Sequence, residues 1–227
     1  GLLAEIASAS HAPRDRWRGV APLPGEAEAR ATGAFDVLRG DDTIGEERFA
    51  IAADHSVTSQ LVIDVPEHAE TTFRIGAHAF AVAIRVDAAR LVLDGVIDGH
   101  TLVVTGRDLM NKPVELRVAM PHGAFLGGPF AAGAAVLASK LDKLAVGGTR
   151  TLTSIGLDYA ALPRLAMATS VHHVERVADA AGHHVYRIAT TTDGETSTGE
   201  LTLDEHGGVV GFTVGAPLSM TFIPHGT

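Results

Sequence analysis

Twelve histidines are the first candidates for chemistry in this sequence, because imidazole binds metal ions and exchanges protons near neutral pH. Two pairs, His172-His173 and His183-His184, flank a predicted turn at residues 178–182. Pairing of two strands about that turn places His173 and His184 on one face but roughly 13 Å apart. Zinc ligands must all lie about 2 Å from one ion. We therefore predict exposed or edge positions for these histidines and no metal site.

Two further groups combine acids with imidazole, namely Asp54-His55 and the set Asp94, Asp98 and His100. Asp98 precedes a glycine and is explained by a tight turn. A catalytic Asp-His pair needs a third reacting group inside a pocket, and the sequence indicates neither. The G-x-S-x-G, H-E-x-x-H, Walker A and G-x-G-x-x-G motifs are absent as well. The sequence thus predicts no catalytic residue and no cofactor.

Three charged residues, Glu46, Glu47 and Arg48, stand inside a strand-like stretch. Alternation along a strand places Glu46 and Arg48 on one face and Glu47 on the other. We expect a solvated face here, or a cross-strand pair with Arg39. The alternative is a carboxylate that lines a ligand cavity.

One apolar segment, residues 123–142, has helical periodicity at its centre. From Pro129 to residue 144 the apolar side chains recur at steps of three or four residues. They are Phe130, Ala134, Leu137, Leu141 and Leu144. Proline suits the first helical position, and Gly147-Gly148 supply a stop. The pattern predicts an amphipathic helix at 129–144.

The start of the same segment is rich in glycine and also carries large apolar side chains. An apolar loop of this kind suits the mouth of a pocket for a hydrophobic ligand. We name Phe125, Leu126, Phe130, Leu137 and Leu141 as the candidate ligand-binding residues. A second interpretation is that the glycines let the helix approach a sheet closely while the phenylalanines fill the core, and both interpretations can hold together.

From residue 34 onward the chain otherwise consists of short alternating segments separated by turns. Residues 34–40 and 43–51, for example, predict a hairpin. No connection is long enough for a repeated parallel crossover, so the strands should be antiparallel. We predict a mainly β (α+β) fold, a strongly curved antiparallel sheet or half-barrel wrapped around one central amphipathic helix. Residues 1–33, which prolines interrupt, form a predicted peripheral arm, and residues 34–227 form a single domain.

Composition excludes several classes of function. The chain has 18 basic and 27 acidic residues, a net charge of −9, and no basic block to follow nucleic-acid phosphates or anchor to an anionic membrane. The absence of cysteine excludes disulfides, thiolate catalysis and cysteine-bound metals. No apolar stretch approaches the ~18 residues of a transmembrane helix. The chain opens on Gly1 and not on Met, and residues 2–11 fit a segment that follows a removed export signal, so we expect a periplasmic or otherwise exported protein.

Three short motifs carry a resemblance to known proteins. An opening strand leads through a turn into Ile44-Gly45-Glu46, residues 146–150 (VGGTR) return into a strand, and residues 203–208 (LDEHGG) form a closing hairpin. In these features the sequence resembles the DUF3108-like group of exported bacterial proteins, which are related in shape to the periplasmic lipoprotein carrier LolA and to mycobacterial lipid-binding lipoproteins. The resemblance covers most of the chain from residue 34. It implies a strongly curved half-barrel around a helix, although the chain has no cysteine for lipidation.

Three functions are compatible with this sequence. The first is an exported binding or carrier protein for a hydrophobic, lipid-like ligand held between curved sheet and helix. The second is an enzyme, a hydrolase or isomerase, that acts on a hydrophobic substrate at the same cavity. The third is a structural protein of the cell envelope, with a filled core and an exposed strand edge for a partner protein. An empty space beside the helix favours the first function, and converging titratable side chains in that space favour the second.

Overall fold

Fifteen strands pair side by side into one sheet among the residues that the structure describes. The computed structural model describes residues 20–64, 68–141, 144–180, 182–216 and 218–225, without the side chains of three alanines in these ranges. The strands are β1 (Ala31–Arg39), β2 (Asp42–Ile51), β3 (Val57–Ile63), β4 (Ala69–Ile75), β5 (Ala79–Val86), β6 (Ala89–Asp98), β7 (Thr101–Arg107), β8 (Pro113–Ala119), β9 (Phe125–Leu126), β10 (Thr149–Leu157), β11 (Met167–Ala180), β12 (His183–Thr192), β13 (Glu195–Leu203), β14 (Val209–Val214) and β15 (Met220–Pro224).

Two meanders meet in the middle of this sheet. Strands β1 to β8 lie next to one another in chain order, and β15 back to β10 do the same on the other side, with β1 paired to β15. All these neighbours are antiparallel, as predicted. Within each meander a direct connection joins one strand to the next, which favours this order, whereas β1 and β15 come from the two ends of the described chain. The two-residue strand β9 is the exception, since it pairs with β10 in parallel.

The strands follow the alternation that their sequences predict. In β6, for example, Leu91 and Leu93 are almost completely buried, whereas Arg90 and Asp94 on the opposite face are exposed. The buried faces of the strands point to one side, where they form a single hydrophobic core with the helix. The sheet is therefore curved, because both of its halves pack against the same helix.

That helix, α1, spans Phe130–Ala138 and contacts β2, β3 and β4 on one side and β14 on the other. It is shorter than the predicted range of 129–144. After Ala138 the backbone continues with tight turns, in which the Lys140 and Leu141 N–H groups each bond to a carbonyl three residues back. No helix in the described part of the chain is both long and apolar enough to cross a bilayer.

The structure also corrects the amphipathic character that we predicted for α1. None of its residues is exposed, and all of them are apolar. The two sides of the helix differ in the size of their side chains and not in polarity. The smaller side consists of alanines that are almost fully buried, Ala131, Ala132, Ala135 and Ala138. A helix that is apolar all round belongs inside a protein, and this one lies inside the curved sheet.

The glycine at Gly133 allows the first turn of α1 to form against the preceding loop. A Cβ atom at this position would lie only 1.9 Å from the Gly128 carbonyl oxygen. We expect Gly133→Ala to lower the free energy of unfolding by about 1–3 kcal/mol, because the clash outweighs the ~1 kcal/mol that alanine gains in a helix. Urea unfolding measures this change. Gly76→Ala is the matched control, since its Cβ would meet no atom closer than 3.8 Å, and a stabilised Gly133→Ala protein would contradict the packing described here.

Only the end of the predicted N-terminal arm, from residue 20 onward, falls within the described residues. Strand β1 begins at Ala31, three residues before the predicted start of the sheet at residue 34. The segment before β1 is attached to β2 through Arg48, whose Nη2 donates to the Ala21 carbonyl at 2.7 Å. The same nitrogen also donates to the Gln60 side-chain oxygen at 2.9 Å. Arg48 therefore fastens this segment to the outer face of the sheet.

Candidate functional site

A cavity of about 260 Å³ lies between α1 and the strands β10 to β14. Most of its wall is apolar. The segment 125–137 contributes Phe125, Phe130, Ala134 and Leu137, and the sheet contributes Ile188, Leu201, Phe212 and Val214. A concave apolar space with a few polar groups is the usual form of a ligand site.

The position of α1 explains why the space exists. The alanine side of the helix is small enough for the helix to lie close to β2, β3 and β4. The opposite side, with Phe130, Gly133, Ala134 and Leu137, faces the cavity. Because the helix is displaced toward one half of the sheet, its residues do not fill the distance to β12 and β13.

The five predicted ligand-binding residues divide into two sets. Phe125, Phe130 and Leu137 line the cavity. Leu126 and Leu141 do not: they are only 2% and 1% exposed and belong to the hydrophobic core. Leu126 points away because it is the neighbour of Phe125 on strand β9, where successive side chains alternate in direction.

Phe130 has an unusual backbone conformation at the cavity wall. Its φ angle is 52°, a left-handed conformation that costs a bulky residue about 1–3 kcal/mol. The ring packs against Tyr159, with centroids 5.9 Å apart, and against Phe222 at 5.7 Å. The packing of this ring therefore holds the helix start in a strained shape and fixes one end of the cavity.

A polar array of three side chains lies in the opposite wall. The Ser154 hydroxyl is 2.8 Å from His172 Nε2, and His172 Nδ1 is 2.9 Å from the Thr190 hydroxyl. All three residues line the cavity. Burial lowers the pKa of His172, so the ring is neutral at pH 7 and carries a single N–H. The three side chains together have three donor protons and make two hydrogen bonds, which leaves one proton for a further acceptor.

The histidine predictions are partly corrected by this geometry. His172 is half-buried in the cavity wall, although we predicted an exposed or edge position, because it shares the inward face of β11 with Val174, which is 1% exposed. Strand β11 places His173 opposite Ala189. After a bulge in β11, Asp179 lies opposite His184, and its carboxylate is 3.0 Å from His184 Nδ1. Among the residues that the structure describes, no three acidic or histidine side chains converge as a metal site would require.

Glu47 is completely buried beneath α1, which overturns the predicted solvated face and the pair with Arg39. Its Oε2 accepts a hydrogen bond from the Ala131 N–H at the start of the helix, at 3.0 Å. Burial raises the pKa of Glu47 to about 8, and hydrogen bonds from Ala131 and Ser59 offset only part of this rise. Its other oxygen, Oε1, has no hydrogen-bond partner among the described residues. The carboxyl therefore caps the helix in its neutral form near pH 7.

Tyr159 is the second buried polar residue that sequence reasoning missed. Its ring lines the cavity, and its hydroxyl oxygen is enclosed without a hydrogen-bond partner among the described residues. Burial raises the pKa of Tyr159, and the negative charge of Glu47 adds to the rise. The phenol is therefore an O–H donor at every physiological pH. Tyr159 begins the 3₁₀ turn Tyr159–Ala161 between β10 and β11, where local sequence patterns give no signal of a site.

Comparison with known proteins supports the fold only. No family model matches the sequence, and neither does any curated protein. A solved structure that is similar is a β-barrel-like protein from Brucella abortus, a domain of unknown function called DUF1849, at a TM-score of 0.53 and 12% sequence identity. The match covers 85% of this chain and 94% of that one. The expected resemblance to curved, barrel-like β proteins is thus confirmed at the level of fold.

Proposed function

We propose that this protein binds a hydrophobic, lipid-like molecule in the cavity between α1 and the curved sheet, which forms a half-barrel around the helix. The cavity itself is the observation that carries the proposal. Its volume of about 260 Å³ lies just below the ~300–1,000 Å³ of typical ligand sites. The size suits one small apolar molecule, or the end of one acyl chain, and not a whole two-chain lipid.

A carrier role in the cell envelope is the biological form of this proposal. The motifs at residues 44–46, 146–150 and 203–208 carry the sequence resemblance to the DUF3108-like exported proteins, which are related in shape to LolA, and the similar solved structure is β-barrel-like. On that resemblance we propose an exported protein that picks up a hydrophobic molecule and hands it to a partner in the periplasm.

Binding is favoured over hydrolysis by the chemistry of the polar array. Ser154 and His172 are close enough for a nucleophile and its base. A general base must become an imidazolium, however, and burial disfavours that charge. The residue that orients His172 is Thr190, a neutral hydroxyl that cannot stabilise the imidazolium as a carboxylate does. The array is therefore better suited to holding a ligand than to activating serine.

A purely structural role in the envelope is less favoured for a separate reason. Such a protein would have a filled interior, whereas α1 leaves space on the side of β12 and β13. Apolar side chains that line an open space forgo packing contacts with one another, and a purely structural interior would use those contacts for stability.

Binding can be tested with purified protein. We expect the neutral dye N-phenyl-1-naphthylamine to gain fluorescence on mixing and to be displaced by medium-chain alkanes, because the cavity wall is mostly apolar. Native mass spectrometry before and after solvent extraction should also detect any co-purified hydrophobic molecule. Failure of both measurements, with the protein folded by circular dichroism, would reject the binding proposal.

A further inference from the structure

Strand β8 forms one end of the sheet, and no strand among the described residues pairs with its outer edge. At the other end of the sheet the last strand, β9, has only two residues, whereas β8 has seven. A long edge strand presents a row of backbone N–H and carbonyl groups that can pair with a strand of another molecule. The outer edge of β8 is therefore a candidate surface for a partner chain.

The hydrogen bonds at the two ends of the β7–β8 hairpin show which backbone groups of β8 remain available. The Met120 N–H donates to the His100 carbonyl at 2.8 Å, and the Asp108 N–H donates to the Lys112 carbonyl at 3.0 Å. Hydrogen-bonded pairs recur at every second residue of an antiparallel ladder, and the register between β7 and β8 has no interruption. The even-numbered residues of β8 therefore direct their backbone groups toward β7, and the odd-numbered residues direct theirs outward.

The side chains of β8 divide into an apolar face and a charged face. Val114, Leu116 and Val118 are half-buried and pack against the hydrophobic core. Glu115 and Arg117 lie on the opposite face, where their side chains are 65% and 64% exposed and 3.4 Å apart. Opposite charges two residues apart on the same face make this edge complementary to an antiparallel copy of itself.

Three symmetric registers of two β8 edges centre on this charged segment and also bring outward backbone groups together. A two-fold axis at Glu115 sets two carboxylates opposite one another, and an axis at Arg117 sets two guanidinium groups opposite one another. Like charges directly opposite destabilise a strand pair. An axis at Leu116 instead sets each Glu115 opposite the partner's Arg117, and opposite charges at such positions stabilise the pair.

We propose that two copies of this protein associate through their β8 edges, antiparallel and with the two-fold axis at Leu116, so that one sheet continues across both molecules. The outward N–H groups of each β8 then donate to the outward carbonyls of the other. Pro113 has no N–H, but it supplies a carbonyl and faces a small side chain, the partner's Ala119. A contact between two single strands is small, so we expect a weak dimer with a dissociation constant of about 10–100 µM. In the dilute solutions used for unfolding, the protein is then a monomer.

Charge reversal tests this pairing without altering the core, because both charged side chains are exposed. Glu115→Arg alone and Arg117→Glu alone each set like charges opposite one another, so either variant should self-associate about tenfold more weakly in sedimentation equilibrium. An equimolar mixture of the two variants should associate as the wild type does, because every arginine then faces a glutamate. Glu205→Arg is the matched control, since that side chain is 73% exposed and lies outside β8, and it should leave association unchanged.

A cysteine at the axis tests the register independently of charge. The chain contains no cysteine, so Leu116→Cys introduces one thiol per molecule. At the axis two thiols lie directly opposite one another in a non-hydrogen-bonded pair, with Cα atoms about 4.5 Å apart, which a disulfide can span. Mild oxidation should therefore convert most of this variant into a covalent dimer. Val118→Cys is the matched control, because its thiol faces the partner's Val114 and lies about 13 Å from the second thiol.

Three results would overturn the proposal. The first is a wild-type protein that remains monomeric at concentrations up to about 1 mM. The second is a mixture of Glu115→Arg and Arg117→Glu that associates no better than either variant alone. The third is equal cross-linking of Leu116→Cys and Val118→Cys, which would reject the axis at Leu116. None of these results bears on ligand binding, because β8 does not line the cavity.

Discussion

Replacing Leu137 with tryptophan should abolish most ligand binding while the protein remains folded. Leu137 lines the cavity from the third turn of α1, so the indole ring would occupy space that the ligand needs. Forcing a ligand into an overpacked site costs about 1–3 kcal/mol, which corresponds to a loss of about 5- to 150-fold in affinity. Displacement of N-phenyl-1-naphthylamine by octane measures the loss.

The stability of the same variant distinguishes a blocked cavity from a damaged fold. A ring that fills empty space gains packing contacts, so the free energy of unfolding without ligand should be unchanged or should rise by about 0.5–2 kcal/mol. Ala134→Phe, one turn earlier on the same side of the helix, should behave in the same way. Val146→Trp is the control, because Val146 is 55% exposed and lies outside the cavity. Unchanged binding in both cavity variants would remove α1 from the ligand site.

Local patterns in the sequence are sufficient to predict the sheet. Buried residues such as Leu91 and Leu93 lie at every second position, with the exposed Arg90 and Asp94 on the other face, and short turns separate the segments. The strands and the antiparallel order within each meander therefore follow from nearby residues, whereas the pairing of β1 with β15 joins distant parts of the chain. The end of α1 is different. Leu141 and Leu144 continue the helical spacing and are buried, yet they follow the helix in tight turns. Apolar residues at steps of three or four residues indicate which side chains are buried. They do not distinguish a helix from a series of tight turns, because both can bury these side chains.

The polar residues of the site could not be predicted from local patterns. Glu47 is buried because the start of α1, 84 residues further along the chain, supplies the Ala131 N–H that its carboxyl accepts. In the sequence it is simply one member of a charged run on a strand. Tyr159 follows β10 in a short turn, and its position in the cavity wall depends on Phe130 and on the curvature of the whole sheet. Contacts between segments that are distant in the sequence determine where Glu47 and Tyr159 lie. Such contacts leave no periodic pattern in the sequence.

Glu47→Gln should remove much of the pH dependence of stability in this protein. In the unfolded chain the carboxyl of Glu47 titrates near 4.5, whereas burial raises its pKa in the folded protein to about 8. Between pH 4.5 and pH 8, the Glu47 carboxyl therefore keeps its proton in the folded state and loses it in the unfolded state. The stabilisation is therefore complete below about pH 4.5, is lost progressively as the pH rises toward 8, and is absent above that.

The size of this effect follows from the two pKa values. At about 1.4 kcal/mol for each pKa unit, the wild-type protein should lose up to about 5 kcal/mol between pH 4.5 and pH 8 from this group. Glutamine is neutral at every pH, and its side-chain oxygen can still accept the Ala131 hydrogen bond. The two proteins should thus unfold at nearly the same urea concentration at pH 5, and the variant should be several kcal/mol more stable at pH 8.

The comparison isolates Glu47 because all other titrating groups are common to both proteins. Urea unfolding at half-unit pH intervals gives the two curves, and Glu115→Gln serves as the control, since that side chain is 65% exposed on β8. This control should follow the wild-type curve at every pH. Parallel curves for wild type and Glu47→Gln would mean that Glu47 titrates normally, and the carboxyl could then not be enclosed beneath α1. A difference that grows with pH would place a neutral carboxyl beneath the start of α1, where it accepts the Ala131 hydrogen bond.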